Sequence, residues 1–272
     1  MLFWQNLAQI TISKNQKTKS TTMKTQKIAL IDYGAGNLGS VKNAFAYLST
    51  SIKLESNPHK LREYDKVILP GVGAFGDVAE LVKKSGFDSA IVDFARSGKY
   101  LLGICLGMQL LFEKSYEFGE HSGLGLLRGE IVRFGESLRV PHIGWNQNFF
   151  SHSCDEDLGS AFCANVAKSE DSKHALLADI PNGAYLYFVH SYYASNVKKS
   201  EVLAWCKYSE ASKRFHNACS GGREKSTLDE DKKALAVKFP SIVAKDNVLG
   251  VQPHPEKSHS NGLQILQNFL NL

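Results

Sequence analysis

Four short apolar runs set the terms for the N-terminal half of this chain. They are Lys27-Ile28-Ala29-Leu30-Ile31, Ile52-Lys53-Leu54, Lys66-Val67-Ile68-Leu69 and Tyr100-Leu101-Leu102-Gly103-Ile104. Each has strand length, and helical patterns lie between them. Leu38, Val41, Ala44, Phe45 and Leu48 fall on one helical face, and the span from Leu81 to Ser97 reads as a second helix. Apolar strands that alternate with helices need a parallel sheet covered on both sides. The predicted class is therefore α/β, an open, mostly parallel sheet with helices on both faces. In such sheets functional residues gather beyond the carboxyl ends of strands. Asp32, Pro70 and Cys105 each follow one.

The second half reads differently. Ile131–Phe134, Tyr185–Val189, Val202–Trp205, Leu235–Val237 and Val248–Val251 are strand-like and close together, which predicts extra antiparallel strands. Gly262–Leu270 reads as a closing helix. Two polar segments, at about 150–173 and 209–233, read as surface insertions in one domain, 27–272. Gly34-x-Gly36-x-x-Gly39 sits where a dinucleotide fingerprint would. An acidic residue does not end the next strand at the expected distance, so a tight strand–helix turn is the better reading.

Composition excludes several classes. Of the 272 residues 43% are hydrophobic and 22% charged, as in an ordinary globular protein. The net charge of +5 comes without a dense basic block interleaved with aromatics, so no nucleic acid is expected. No run reaches the roughly 18 apolar residues of a membrane span. The five cysteines (Cys105, Cys154, Cys163, Cys206, Cys219) form no C-x-x-C pair. This argues against a metal site or a disulfide framework and suits a reducing cytoplasm. Residues 1–26 hold lysines at 14, 17, 19 and 24 and no acid, and are expected to be a mobile tail. Met23, just before the first strand, is a position from which translation could also start.

Gly103-Ile104-Cys105-Leu106-Gly107 joins a predicted strand to a predicted helix. This is the nucleophile-elbow pattern G-x-S-x-G with sulfur in place of oxygen. On the pentapeptide alone, a buried core cysteine and a nucleophile both stay open. A base is available in Gln252-Pro253-His254-Pro255-Glu256-Lys257, which follows the strand Val248–Val251. Prolines restrict the loop around His254, and a carboxylate two residues on can hold the far ring nitrogen. An imidazole beside a thiol makes the thiolate that attacks. Cys105, His254 and Glu256 thus form a candidate triad.

Gly103–Gln109 together with His254-Pro255-Glu256 resemble the class I (triad) glutamine amidotransferases. Four further stretches are similar to the glutaminase subunits of imidazole glycerol phosphate synthase: Ile31–Leu38, Pro70–Gly76, Pro141–Asn146 and Tyr187–Tyr192. The likeness runs in order from about Lys27 to Leu272, outside the polar segments. It implies that Cys105 attacks the side-chain amide of L-glutamine, that His254 moves the proton, and that Glu256 orients His254. It implies oxyanion donors at the backbone of Val72 and Leu106, and a substrate pocket lined by Gly73, Gln109, His190, Ser191 and Tyr192. It places Trp145, Asn146 and Lys257 near a partner, a (β/α)8-barrel cyclase that takes the ammonia in histidine biosynthesis. No metal or organic cofactor is implied. A related subunit feeding a surface-sugar pathway and a non-glutamine cysteine hydrolase are the alternatives. Pro253 stands where the family usually has phenylalanine, and its missing N–H predicts a less firmly held His254.

Overall fold

Every residue of Ile28–Ile31 (β1) and Lys66–Leu69 (β3) is buried, as strands covered on both sides must be. In the computed structural model these two pair in parallel, with Lys53–Glu55 (β2) on the outer side of β1 and Tyr100–Ile104 (β4) beside β3. Val248–Val251 (β13) then joins β4 in parallel, although it comes from the far end of the chain. The sheet continues antiparallel through Ala236–Lys245 (β12), Val202–Ser209 (β11), His142–Phe150 (β8) and Ala184–His190 (β9). The order of this nine-stranded sheet is β2-β1-β3-β4-β13-β12-β11-β8-β9. A four-stranded sheet, β10-β7-β5-β6, is built from Tyr192–Ser195, Glu130–Arg133, Lys114–Ser115 and His121–Ser122. The described residues are 26–151, 173–209 and 236–272. The expected N-terminal tail up to residue 25 and nearly all of both polar segments lie outside them.

Alternate residues of the parallel strands feed two cores. Ile28, Leu30, Ile68, Leu102, Ile104, Leu249 and Val251 pack with helix Leu38–Tyr47 (α1) and the closing helix His259–Asn271 (α5). Ala29, Ile31, Val67, Leu69 and Leu101 face Phe75–Lys84 (α2), Phe87–Arg96 (α3) and Leu106–Leu110 (α4). Helices therefore cover both faces, as the sequence predicts. The buried Lys66 fastens the closing helix: its Nζ donates to the carbonyls of Phe269 and Leu270 at 2.9 and 2.6 Å.

The helix expected over 81–97 is two helices. Gly86 stands between α2 and α3 at φ +75°, a conformation open to glycine that ends α2. Ser85 reinforces the stop, because its hydroxyl donates back to the carbonyls of Leu81 and Val82. At the first turn, Gly34 (φ +91°) and Gly36 (φ +121°) carry the chain from β1 to α1, and the Asn37 side chain accepts from Ser40 N. Of the segment Pro141–Asn146, residues His142–Asn146 belong to strand β8.

Candidate active site

Strands β3, β4 and β13 are neighbours and run the same way, so the segments after them meet. These are the Pro70–Gly73 loop, the Cys105 elbow and the Gln252–His254 turn. Cys105 has φ +53° and ψ −112°, a strained backbone for a residue with a side chain. It is held by its N–H to Val251 O (2.8 Å), and its carbonyl accepts from Gln109 N (3.1 Å). Glycines make the close approach feasible. A Cβ on Gly71 would lie 2.5 Å from Gly107 N, and one on Gly107 would run into the Leu69 carbonyl. The loop, the elbow and β3 are thus in backbone contact, which only glycine permits.

A cavity of about 370 Å³ opens here, within the range of small-molecule sites. Its walls include Cys105 and His254, and also Val72, Gly73, Leu106, Gln109, His190, Ser191, Tyr192 and Lys257. Glu256 stands behind His254, with Oε1 accepting from Nδ1 at 2.8 Å and its side chain 2% exposed. Burial alone would lower the His254 pKa. Hydrogen bonds to Cys105 and Glu256, and the negative charges of both, overcome this and raise it to about 10. The imidazole therefore carries a proton at neutral pH and faces the sulfur. A pair of this kind can attack a carbonyl carbon and protonate the group that leaves.

His254 is firmly held despite Pro253. Its own N–H donates to Tyr187 O (2.8 Å), and its carbonyl accepts from the Ser258 hydroxyl (2.6 Å). The anchors lie on the residue itself, so the missing proline N–H does not loosen it.

A neutral histidine pair supports the opposite wall. His190 and His142 are buried, with Nε2 and Nδ1 3.0 Å apart. Burial pushes His190 down to about 4 against the raising effect of Tyr192 O, with the charge of His254 adding to it, and pushes His142 down to about 2, with His190 adding to it. Neutral rings fix the direction of the bonds. His190 Nδ1 donates to Tyr192 O (2.8 Å), so its Nε2 accepts from His142 Nδ1.

The sequence matches the family Glutamine amidotransferase class-I over residues 29–221. The chain belongs to the class I glutamine amidotransferases. Within that family its relatives include HisH subunits of imidazole glycerol phosphate synthase. The subunit of Sulfurimonas denitrificans is 44% identical, the match covering 89% of this chain and 96% of the relative. That of Wolinella succinogenes is 42% identical, covering 90% and 99%. That of Helicobacter hepaticus is 41% identical, covering 92% and 100%. The solved structure of PurLQS from Thermotoga maritima shares the fold at 17% identity, with a TM-score of 0.60 over 91% of this chain and 99% of that one.

Two residues that the class I resemblance placed near a partner lie outside the cavity. Trp145 stacks on His259 (4.8 Å between centroids, 9° between planes) and meets Tyr187 edge-on. Asn146 donates to Lys207 O at 3.1 Å. Two residues that sequence reasoning passed over belong to the site. Glu117 lines the cavity and accepts from Phe75 N at 2.6 Å; burial, as the first cause, raises its pKa against that bond. Gln252 is fully buried, with its amide nitrogen 3.8 Å from the Cys105 sulfur. Among the described residues no cluster could hold a metal ion, and no helix is long and apolar enough to cross a membrane.

The raised His254 pKa has a consequence for stability. A free histidine titrates near ~6.5. The folded value is higher, so the pairing stabilises in full below that pH and is lost as pH rises through about 10. Glu256→Gln removes one side of the pairing. The melting-temperature gap between wild type and this variant is expected to be widest near neutral pH and to close as pH approaches about 10. Thermal melts across that range check it, and a pH-independent gap contradicts it.

Proposed function

We propose that this chain hydrolyses L-glutamine to glutamate and ammonia and delivers the ammonia to a second subunit. The observation that carries this is one cavity in which the Cys105 sulfur, the His254 imidazole and polar walls for a small amino acid converge. The Cys105 sulfur attacks the side-chain amide carbon. The backbone N–H groups of Val72 and Leu106 take up the oxyanion. Collapse breaks the C–N bond, His254 gives its proton to the departing nitrogen, and a γ-glutamyl thioester and ammonia result. His254 then takes a proton from water, whose oxygen attacks the thioester. Glutamate leaves and the sulfur is regenerated. Glu256 keeps the imidazole turned toward the sulfur.

The rest of the cavity suits an α-amino acid. Gly73, Gln109 and the run His190-Ser191-Tyr192 form walls for its backbone end. Gln109 Nε2 donates inward to Tyr192 O, which leaves its amide oxygen as the group offered to a guest. Glu117 is placed to take the α-ammonium. Glu117→Gln keeps an acceptor for Phe75 N but loses the charge. It is expected to raise the KM for glutamine about tenfold, the scale of a hydrogen bond to a charged group, with a smaller effect on kcat. Steady-state kinetics check this.

Free ammonia is protonated and lost in water near neutral pH, so the product needs a neighbour to consume it. The relatives are subunits of imidazole glycerol phosphate synthase, which supports a (β/α)8-barrel cyclase of histidine biosynthesis as that neighbour, in a reducing cytoplasm. Lys257 at the cavity wall and Trp145 on the adjoining β8–β9 face, beside the exposed Ile143 and Tyr185, form the contact surface, while Asn146 points to the other face of β8. Glutamate release measured with and without that cyclase and its nucleotide substrate tests the reading. Stimulation by both is expected. Stimulation by a sugar-pathway barrel instead, or cleavage of peptides without glutaminase activity, would overturn it.

A further inference from the structure

We propose that Gln252 is a further catalytic residue, a non-titrating hydrogen-bond donor to the reacting sulfur. This rests on the reading of Cys105 as the nucleophile. The Gln252 side chain is fully buried at the end of β13, and its backbone N–H is tied to Ser241 O at 2.8 Å. Its Nε2 lies 3.8 Å from Cys105 Sγ, and its Oε1 is 3.0 Å from Gln109 Nε2.

The two ends of a buried amide are not interchangeable here. Tyr192 O accepts from Gln109 at 2.9 Å, so the end of Gln109 that faces it is the nitrogen. That nitrogen also faces Gln252, which must present its oxygen in return. The Gln252 nitrogen is then left pointing at the sulfur. The chain Tyr192 O, Gln109, Gln252 therefore fixes a donor on Cys105, and it does so from outside the triad.

The chemistry follows from what sulfur can accept. A thiol is a weak acceptor, whereas a thiolate makes a charge-assisted bond roughly twice as strong as a neutral one. A buried N–H gains most when its partner is ionised, so Gln252 favours the thiolate. His254 changes its proton count during the cycle, but the amide does not. Gln252 thus continues to support the sulfur when His254 has given its proton to ammonia and when the sulfur is released from the thioester. Its register is secured by the backbone, since Cys105 N donates to the carbonyl of Val251, the residue just before Gln252.

The test uses the full chain with its barrel partner and two variants. Gln252→Met has similar length and no donor. Gln252→Glu has the same shape and keeps the acceptor for Gln109, but it turns an acceptor toward the sulfur. Carbamidomethylation of Cys105 by iodoacetamide is followed by peptide mass spectrometry across pH, and kcat and KM for glutamine are measured alongside. In both variants the pH at which Cys105 begins to react is expected to move upward, further for Glu. The kcat is expected to fall about tenfold or more, the scale of a hydrogen bond to a charged group, with KM changed less than kcat. If either folded variant gives the wild-type pH profile and kcat, the proposed role is wrong. Should Gln252→Met melt far below wild type, the isosteric Gln252→Glu variant decides alone. If wild-type Cys105 reacts but glutamine is not turned over, the glutaminase reading fails first, and the variants' alkylation profiles still judge Gln252.

Discussion

Cys105→Ala is expected to stop glutamine hydrolysis, lowering turnover by a factor on the order of 10⁴ or more, as loss of a nucleophile does in enzymes that act through a covalent intermediate. The fold should survive. The backbone strain at φ +53° is shared by alanine, and the main-chain bonds to Val251 and Gln109 do not involve the sulfur. The variant also removes a hydrogen bond and a charge that help raise the His254 pKa to about 10, so His254 should deprotonate at lower pH. A ring-proton NMR titration of His254 alongside a glutamate assay would show both effects. Retained turnover would remove Cys105 from the mechanism.

The second large effect concerns shape rather than chemistry. Gly107→Ala places a methyl group against the Leu69 carbonyl, and neither partner is a side chain that can swing away. Backbone must move, at a cost of about 3 kcal/mol, the upper end of what overpacking usually brings. The movement would separate the Leu106 N–H from the Gly71–Gly73 loop, so activity should fall with stability. Gly39 provides the contrast. It lies in α1 with nothing within 4 Å of an added Cβ, so Gly39→Ala should leave stability unchanged or raise it by up to ~1 kcal/mol. Denaturant unfolding of both variants checks the pair. Equal stabilities would mean that the elbow is not in contact with β3.

Much of this arrangement could be read from residue order because its decisive parts are local. The parallel strands are continuous apolar runs, and their terminal turns carry Cys105 and His254 at once. The antiparallel half was harder. Strand β8 alternates His142, Gly144, Asn146 and Asn148 toward the core, where the His142 ring and the Asn146 and Asn148 side-chain nitrogens find partners in other strands, so this face does not look apolar. Strand β12 runs for ten residues and includes Pro240, which hides it from a propensity reading. The apolar spacing continues on both sides of Gly86 and so masks the break there. Glu117 and Gln252 carry no local signal. Their partners are 42 and 147 residues away, at Phe75 and Cys105, and only the folded sheet brings them together.

The proposed function turns on one event, the transfer of a γ-glutamyl group to Cys105. A glutamine-shaped diazoketone reports it directly, because it needs both the glutamine pocket and the activated sulfur. Peptide mass spectrometry of the labelled chain should find the reagent on Cys105 alone, with protection by glutamine and loss of glutaminase activity in proportion to labelling. Labelling spread over other cysteines, or full glutaminase activity with Cys105 blocked, would contradict the account.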